Sequence, residues 1–247
     1  GLSLSEFGLI PEAEAGELKG MAAAHLSLPA IDENEIYRHL ELDWVPPELR
    51  EDTGEIAAAQ NDALPRLIVP SDVKGALHNH TTLSDGDATL EQMADAARNI
   101  GWNWLGVADH SPTLKVANGA SAEDLLAQGE QIKQYNQSWR DEGTDFRLFH
   151  GVESDILEGG KLDHPDNVLE QLDYVVASVH AMTKWKNRDE VTNTEELIRC
   201  IDHPATTILG HPTGRILQGR DGYEVDMFAI IEHMAEHNEA GRLKAVE

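Results

Sequence analysis

A single cysteine, Cys200, stands among the 247 residues of this chain. That excludes an intramolecular disulfide framework and fits a reducing compartment, so a cytoplasmic protein is expected. Long hydrophobic runs are missing too. The longest apolar stretches resemble Val175-Val176-Ala177-Ser178-Val179, too short to cross a bilayer, and no membrane partner is expected. The opening residues, Gly1-Leu2-Ser3-Leu4-Ser5-Glu6, lack the basic start and apolar core of a signal peptide. Positive charge is scarce: 19 Lys and Arg against 45 Asp and Glu give a formal net charge of -26. Such a balance argues against a broad phosphate-tracking surface. Most of the acidic excess reads as a solubility adaptation to salt-rich surroundings, and a few carboxylates remain to bind cations. With 40% hydrophobic residues the chain still has the material for a core.

The first 73 residues differ from the rest. Asp32-Glu33-Asn34-Glu35 opens a short helical run through Leu40, Pro46-Pro47 breaks it, and Glu55 to Leu64 forms a second helical candidate closed by Pro65. Few large apolar residues are present, as expected of a linker and the tail of something preceding. From Lys74 onward, apolar runs begin at Gly75, Trp104, Phe146, Tyr174, Thr207 and Leu243. They alternate with helical stretches over Leu90–Asn99, Ala122–Trp139, Thr194–Ile201 and Asp226–His237. This rhythm predicts an α/β fold with parallel strands and crossover helices, in an open sheet or a barrel.

Each run but the last ends in chemistry. The first delivers His78-Asn79-His80, the second Asp109-His110, the third Glu153, the fourth His180 and the fifth His211. The C-terminal rim of a parallel sheet is where α/β proteins assemble their sites. On a strand, His78 and His80 would face the same side. Imidazoles with a carboxylate suit Zn, Mn or Fe, whereas Ca or Mg would recruit oxygens. The remaining histidines, at positions 25, 39, 150, 164, 203, 233 and 237, do not share that placement. His233 and His237 lie one turn apart on a predicted helix, but they lack the glutamate of a His-Glu-x-x-His site. Trp102, Trp104, Trp139 and Trp185 are expected to pack rather than stack on bases.

His78-Asn79-His80-Thr81-Thr82-Leu83-Ser84-Asp85-Gly86 resembles the opening motif of the polymerase and histidinol phosphatase (PHP) domain. Ala108 to Ser111, Gly151 to Glu153, Ala177 to His180 and Leu209 to Arg215 follow in that family's order. The resemblance narrows to the PHP domain at the C-terminus of bacterial and archaeal family X DNA polymerases. Leu157 to Asp163, Gly210 to Arg220 and Pro46 to Asp52 are similar to that subgroup, and Leu4 to Leu9 looks like the end of a polymerase thumb. The implied organisation is a thumb remnant over 1–30, a linker with short helices over 31–73, and a PHP phosphoesterase domain over 74–247. The implied fold is a distorted, TIM-like (β/α)7 barrel that stops before its last strand and its final Asp-x-His motif, a chain cut at both ends.

The resemblance also implies up to three divalent metals, Mn foremost, with Zn or Fe as alternatives. One would sit on His78, His80 and Glu153, a second on Glu153, His180 and His211, and a third on Asp85 and His110. His78, His80, Glu153, His180 and His211 are the expected catalytic set. The implied activity is 3′-5′ exonuclease or related 3′-end phosphoesterase work in DNA repair. DNA 3′ ends or gapped DNA would be the substrate, and an upstream polymerase domain the partner. Lys184 and Arg215, which follow the His180 and His211 motifs, are candidate phosphate contacts. Two alternatives stand beside this reading: a small-molecule phosphomonoesterase of the histidinol phosphatase type, and a non-catalytic module that braces a polymerase.

Overall fold

Polar contacts, more than buried apolar area, organise residues 1–68. In the computed structural model, which describes residues 1–5, 8–15, 25–180, 182–216 and 218–247, the chain divides into this unit and a second one, Val69–Glu247. Glu6 and Phe7 of the thumb-like stretch, and Leu217 of the Gly210 to Arg220 stretch, lie outside the described residues. β1 (Leu2–Ser5) pairs antiparallel with β2 (Gly8–Pro11), and the single turn α1 (Glu12–Ala15) follows. Asp32 caps α2 (Glu33–His39) by accepting the Glu35 N–H at 3.0 Å. Arg50 donates to both Glu33 oxygens at 2.9 and 2.8 Å, and through Nε to the Val45 carbonyl at 3.0 Å. These bonds, with one from Trp44, hold the Glu33 carboxyl down at about 2. α3 (Glu55–Gln60) ends four residues short of the expected Leu64. Asn61 turns its amide back onto the Ala57 carbonyl, and Asp62 enters the left-handed region at φ 52°, so the helix cannot continue.

The second unit carries the sheet. β3 (Gly75–Ala76) leads through α4 (Leu90–Asn99) to β4 (Trp104–His110), and α5 (Ala122–Asp141) leads to β5 (Arg147–Leu157). The short β6 (Lys161–Leu162) and α6 (Asp166–Leu169) precede β7 (Tyr174–Ser178). After α7 (Met182–Lys186) and α8 (Glu190–Asp202) comes β8 (Ile208–Gly210), and after α9 (Met227–Glu239) comes β9 (Ala245–Val246). The order β3-β4-β5-β7-β8-β9 is parallel at every step, and β6 alone runs antiparallel, against β5. The result is a curled half-barrel: the α/β architecture expected, with six parallel strands.

Period-two alternation separates the two faces of this sheet. Leu105, Val107, Leu148, Val152, Val175, Ala177 and Leu209 pack outward with helix residues such as Leu90, Ala94, Leu125, Ile132, Leu197 and Ile230. Leu77, Ala108, Phe149, Tyr174, Val176 and Ile208 pack together inside the curl. Gly106 and Gly151 make room there, because a Cβ at either would come within 2.6 Å of the Tyr174 side chain. The same alternation turns His110, Glu153 and Asp155 to the inner face.

Two expectations about strand ends are corrected. Glu153 lies within β5, which runs on to Leu157 because Ile156 and Leu157 pair with Leu162 and Lys161 of β6. β3 stops at Ala76 because His78 takes φ 61°, off the strand; the Asn79 amide then donates to the Ala76 and Gly106 carbonyls at 3.2 and 2.8 Å.

His150, on the outer face of β5, is buried against Gly129 of α5. Burial pushes its imidazole down to about 4. The unfolded chain therefore binds a proton there first, and stability falls as pH drops from about 6.5 toward 4, by about 3 kcal/mol for this group. Urea denaturation at stepped pH should show this loss in the wild type. The His150→Leu variant should show a shallower slope across the same window, and equal slopes would contradict the assignment.

Candidate metal centre at the barrel mouth

The loop after β3 is held by a carboxylate that the site itself does not use. Asp109, fully buried on the outer face of β4, accepts four hydrogen bonds: from Thr81 N at 2.7 Å, Thr81 Oγ1 at 2.8 Å, Ser84 Oγ at 2.7 Å and Gln128 Nε2 at 2.7 Å. These bonds explain the hydroxyl residues of the His78–Gly86 motif. Gly86 completes the turn, since a Cβ there would lie 2.4 Å from the His80 carbonyl oxygen. The loop so fixed presents His80 and Asp85.

Five imidazoles converge on Glu153, whose side chain is 1% exposed. His78 Nε2, His180 Nε2 and His211 Nε2 lie 3.0, 3.2 and 2.9 Å from its Oε1. His80 Nε2 and His110 Nδ1 lie 3.4 and 2.8 Å from its Oε2. Asp85 stands beside the second pair, 3.5 Å from His80 Nδ1 and 3.5 Å from His110 Nε2. Burial raises the cost of the Glu153 charge, yet the hydrogen bonds from His110, His180, His211 and His78 outweigh it and hold the carboxyl far below its usual range. Burial also opposes a charge on His180, but Asp155 and Glu153 prevail and lift it to about 9. His78 is raised likewise, against burial, by Glu153 and Glu247. His80 is lowered, by burial and by neighbouring His110.

A carboxylate has about four lone-pair sites, fewer than the ring nitrogens directed at this one. The buried Nδ1 atoms of His80 and His110 face only carboxylates, Asp85 at 3.5 Å and Glu153 at 2.8 Å, and neither meets its neighbour in good hydrogen-bond alignment. Such crowding of nitrogen and oxygen donors is the chemistry of a borderline divalent-metal site, and the donor set fits one. His78, Glu153 and His211 offer ligand atoms within 4.8 Å of one another, and so do His80, His110 and Glu153. All seven residues singled out in the sequence as ligands thus meet at one place, but the triads formed, His78–Glu153–His211 and His80–His110–Glu153, differ from the three sets expected and include neither His180 nor Asp85. Lys184, on α7, and Arg215, after β8, are exposed and are not among the side chains that meet Glu153.

Two partners escaped the reading of strand ends. Asp155 Oδ1 lies 3.0 Å from His180 Nδ1, and Glu247 Oε2 lies 2.6 Å from His78 Nδ1. Asp155 follows Glu153 by two positions, so strand alternation could have found it. Glu247 comes directly after β9, as His211 comes directly after β8.

Residues 76–243 match the PHP domain family. This chain belongs to that family. Residues 1–51 match the DNA polymerase beta thumb. Among relatives of this PHP chain, the DNA polymerase/3'-5' exonuclease PolX of Bacillus subtilis is 37% identical over 245 residues, 99% of this chain and 40% of that protein. A probable phosphatase of Caldicellulosiruptor saccharolyticus is 30% identical over 167 residues, 66% of this chain and 62% of its own length. The chain therefore spans less than two thirds of either relative. The crystal structure of the putative histidinol phosphatase hisK from Listeria monocytogenes shares the fold, at a TM-score of 0.50 and 15% identity, over 68% of this chain and 80% of that one.

Asp109→Asn should separate the loop support from the centre. One of its oxygens becomes an amide donor facing Thr81, Ser84 and Gln128, all of which donate. The expected cost is about 2–3 kcal/mol in urea denaturation. A loss below about 0.5 kcal/mol would show that the network does not support the fold.

Proposed function

We propose that this PHP chain is a metal-dependent phosphoesterase that removes nucleotides from the 3′ end of DNA, as the 3′-5′ exonuclease part of a family X repair polymerase. The observation that carries the reading is the convergence of five imidazoles and Asp85 around the buried Glu153 carboxylate. His78, Glu153 and His211 would hold one divalent ion and His80, His110 and Glu153 a second, with Asp85 beside His80 and His110 as a ligand for a third. Mn is the metal we assign, and the same donors are compatible with Zn or Fe.

When bound, divalent ions supply charge neutralisation at the phosphate and acidify water. The protein's part is orientation. Asp155 takes the Nδ1 side of His180, leaving Nε2 directed at the centre, and Glu247 does the same for His78. Glu153 offers an oxygen to each half of the cluster, so one residue sets their spacing. Lys184 and Arg215, in the segments after β7 and β8, are our candidates for contacts with the phosphate or the DNA backbone. A cytoplasmic location belongs to the same proposal; among the described residues no helix is long and apolar enough to cross a membrane.

The second reading, hydrolysis of a small phosphomonoester, is supported by the probable phosphatase relative and by the acidic surface. The thumb match over residues 1–51 favours DNA. Manganese titration against a 3′-labelled oligonucleotide, beside a histidinol phosphate assay, decides between them. We expect Mn-dependent release of nucleotides, about 100-fold slower in His180→Ala and about tenfold slower in Asp155→Asn. Release without metal, or undiminished in His180→Ala, would refute the proposal, and turnover of the small ester alone would establish the second reading.

A further inference from the structure

α8 and α9 each run back along the sheet to feed the next parallel strand, so their C-terminal ends lie at the rim opposite the Glu153 centre. Three potential ligands meet there. Asp202 is the last residue of α8; His233 and His237 lie one turn apart near the end of α9. Asp202 Oδ1 is 2.8 Å from His233 Nε2 and 3.0 Å from His237 Nε2, and the imidazole centroids are 5.0 Å apart. All three ligand atoms lie within 4.8 Å of one another.

We propose that Asp202, His233 and His237 form a second divalent-metal site, which clamps the ends of α8 and α9 and is independent of the barrel mouth. Three features of the cluster favour a cation. The Asp202 carboxylate sits at a helix C-terminus, where the backbone already presents partial negative charge. Lys244 is engaged elsewhere, donating to the His203 and Thr206 carbonyls. Both imidazoles turn Nε2 toward the single oxygen Asp202 Oδ1, so one carboxylate oxygen faces two ring nitrogens at hydrogen-bond distance.

The spacing suits the chemistry. Ligands about 2.0–2.1 Å from a tetrahedral zinc stand about 3.3 Å apart; the Asp202–His233 and Asp202–His237 separations, 2.8 and 3.0 Å, would widen slightly to admit the ion. Two imidazoles and one carboxylate select a borderline ion such as zinc or cobalt over calcium or magnesium, which prefer oxygen. The Asp202 side chain is 53% exposed, which leaves an entry path and a position for water. The sequence supplied only the paired imidazoles; Asp202, 31 residues before His233, becomes visible only when α8 packs against α9.

The test counts metal rather than turnover. The full chain, Asp202→Asn and His233→Gln are saturated with zinc, dialysed and measured by elemental analysis, with circular dichroism to verify folding. We expect one zinc fewer per chain in each variant and unchanged Mn-dependent phosphoesterase activity. Equal zinc in all three proteins would overturn the site and leave a triad held by hydrogen bonds alone. Both substitutions are at exposed or partly exposed positions, so folded variants are expected, and either one suffices for the comparison.

Discussion

A buried negative charge at Glu153 is the constraint on which the rest of this domain turns. An isolated carboxylate of that burial would take up a proton, or its burial would cost several kcal/mol. It remains ionised because five imidazoles surround it, and those imidazoles must come from strands and loops spread between His78 and His211. They draw on segments that follow β3, β4, β7 and β8, with Glu153 itself on β5 between them. His78 follows β3, at one edge of the curled sheet, and meets Glu247, which follows β9 at the other.

The curl depends on what fills it. Gly106 and Gly151 surrender their side-chain space to the Tyr174 ring, and Leu77, Ala108, Phe149, Val176 and Ile208 fill the remaining inner positions below the polar mouth. Larger residues at either glycine would push the strands apart and shift the His110–Glu153 register by which the inner face presents its ligands. The outer face is a conventional helix-on-sheet core. It carries most of the buried apolar area, and it also holds Asp109, which reaches from that side to fix the loop of His80. Stability and chemistry are therefore divided between the faces of the sheet, joined through one loop.

Much of this was legible beforehand because strands and helices have short periods. The run from Trp104 and the helix Leu90–Asn99 follow from local apolar spacing, and the helix expected over Ala122–Trp139 continues two residues further, to Asp141. The rule that polar residues at strand ends gather at one rim led to six side chains that meet, His78, His80, His110, Glu153, His180 and His211; Asp85 came from the motif resemblance, and Asp109, also at a strand end, faces the other way. It worked for His78 for a reason other than the one supposed: a left-handed backbone, not strand alternation, turns its ring inward. What stayed hidden were partners set by tertiary distance. Asp155 looked like one acid among 45 until β7 placed His180 beside it, and Asp202 looked like a helix-terminal acid until α9 packed against α8. Composition contains no record of such pairings.

The same physics accounts for an acidic chain with a proposed nucleic-acid substrate. Attraction along a DNA backbone requires many exposed cations spread over a groove, and 19 basic residues against 45 acids do not provide them. A cluster of multivalent charge at one point needs no such groove, because within a buried, low-dielectric mouth each charge acts strongly at short range and is screened little by salt. Recognition would then be concentrated on one terminal phosphate rather than distributed along the duplex. It leaves the rest of the surface to remain acidic without cost to the proposed chemistry.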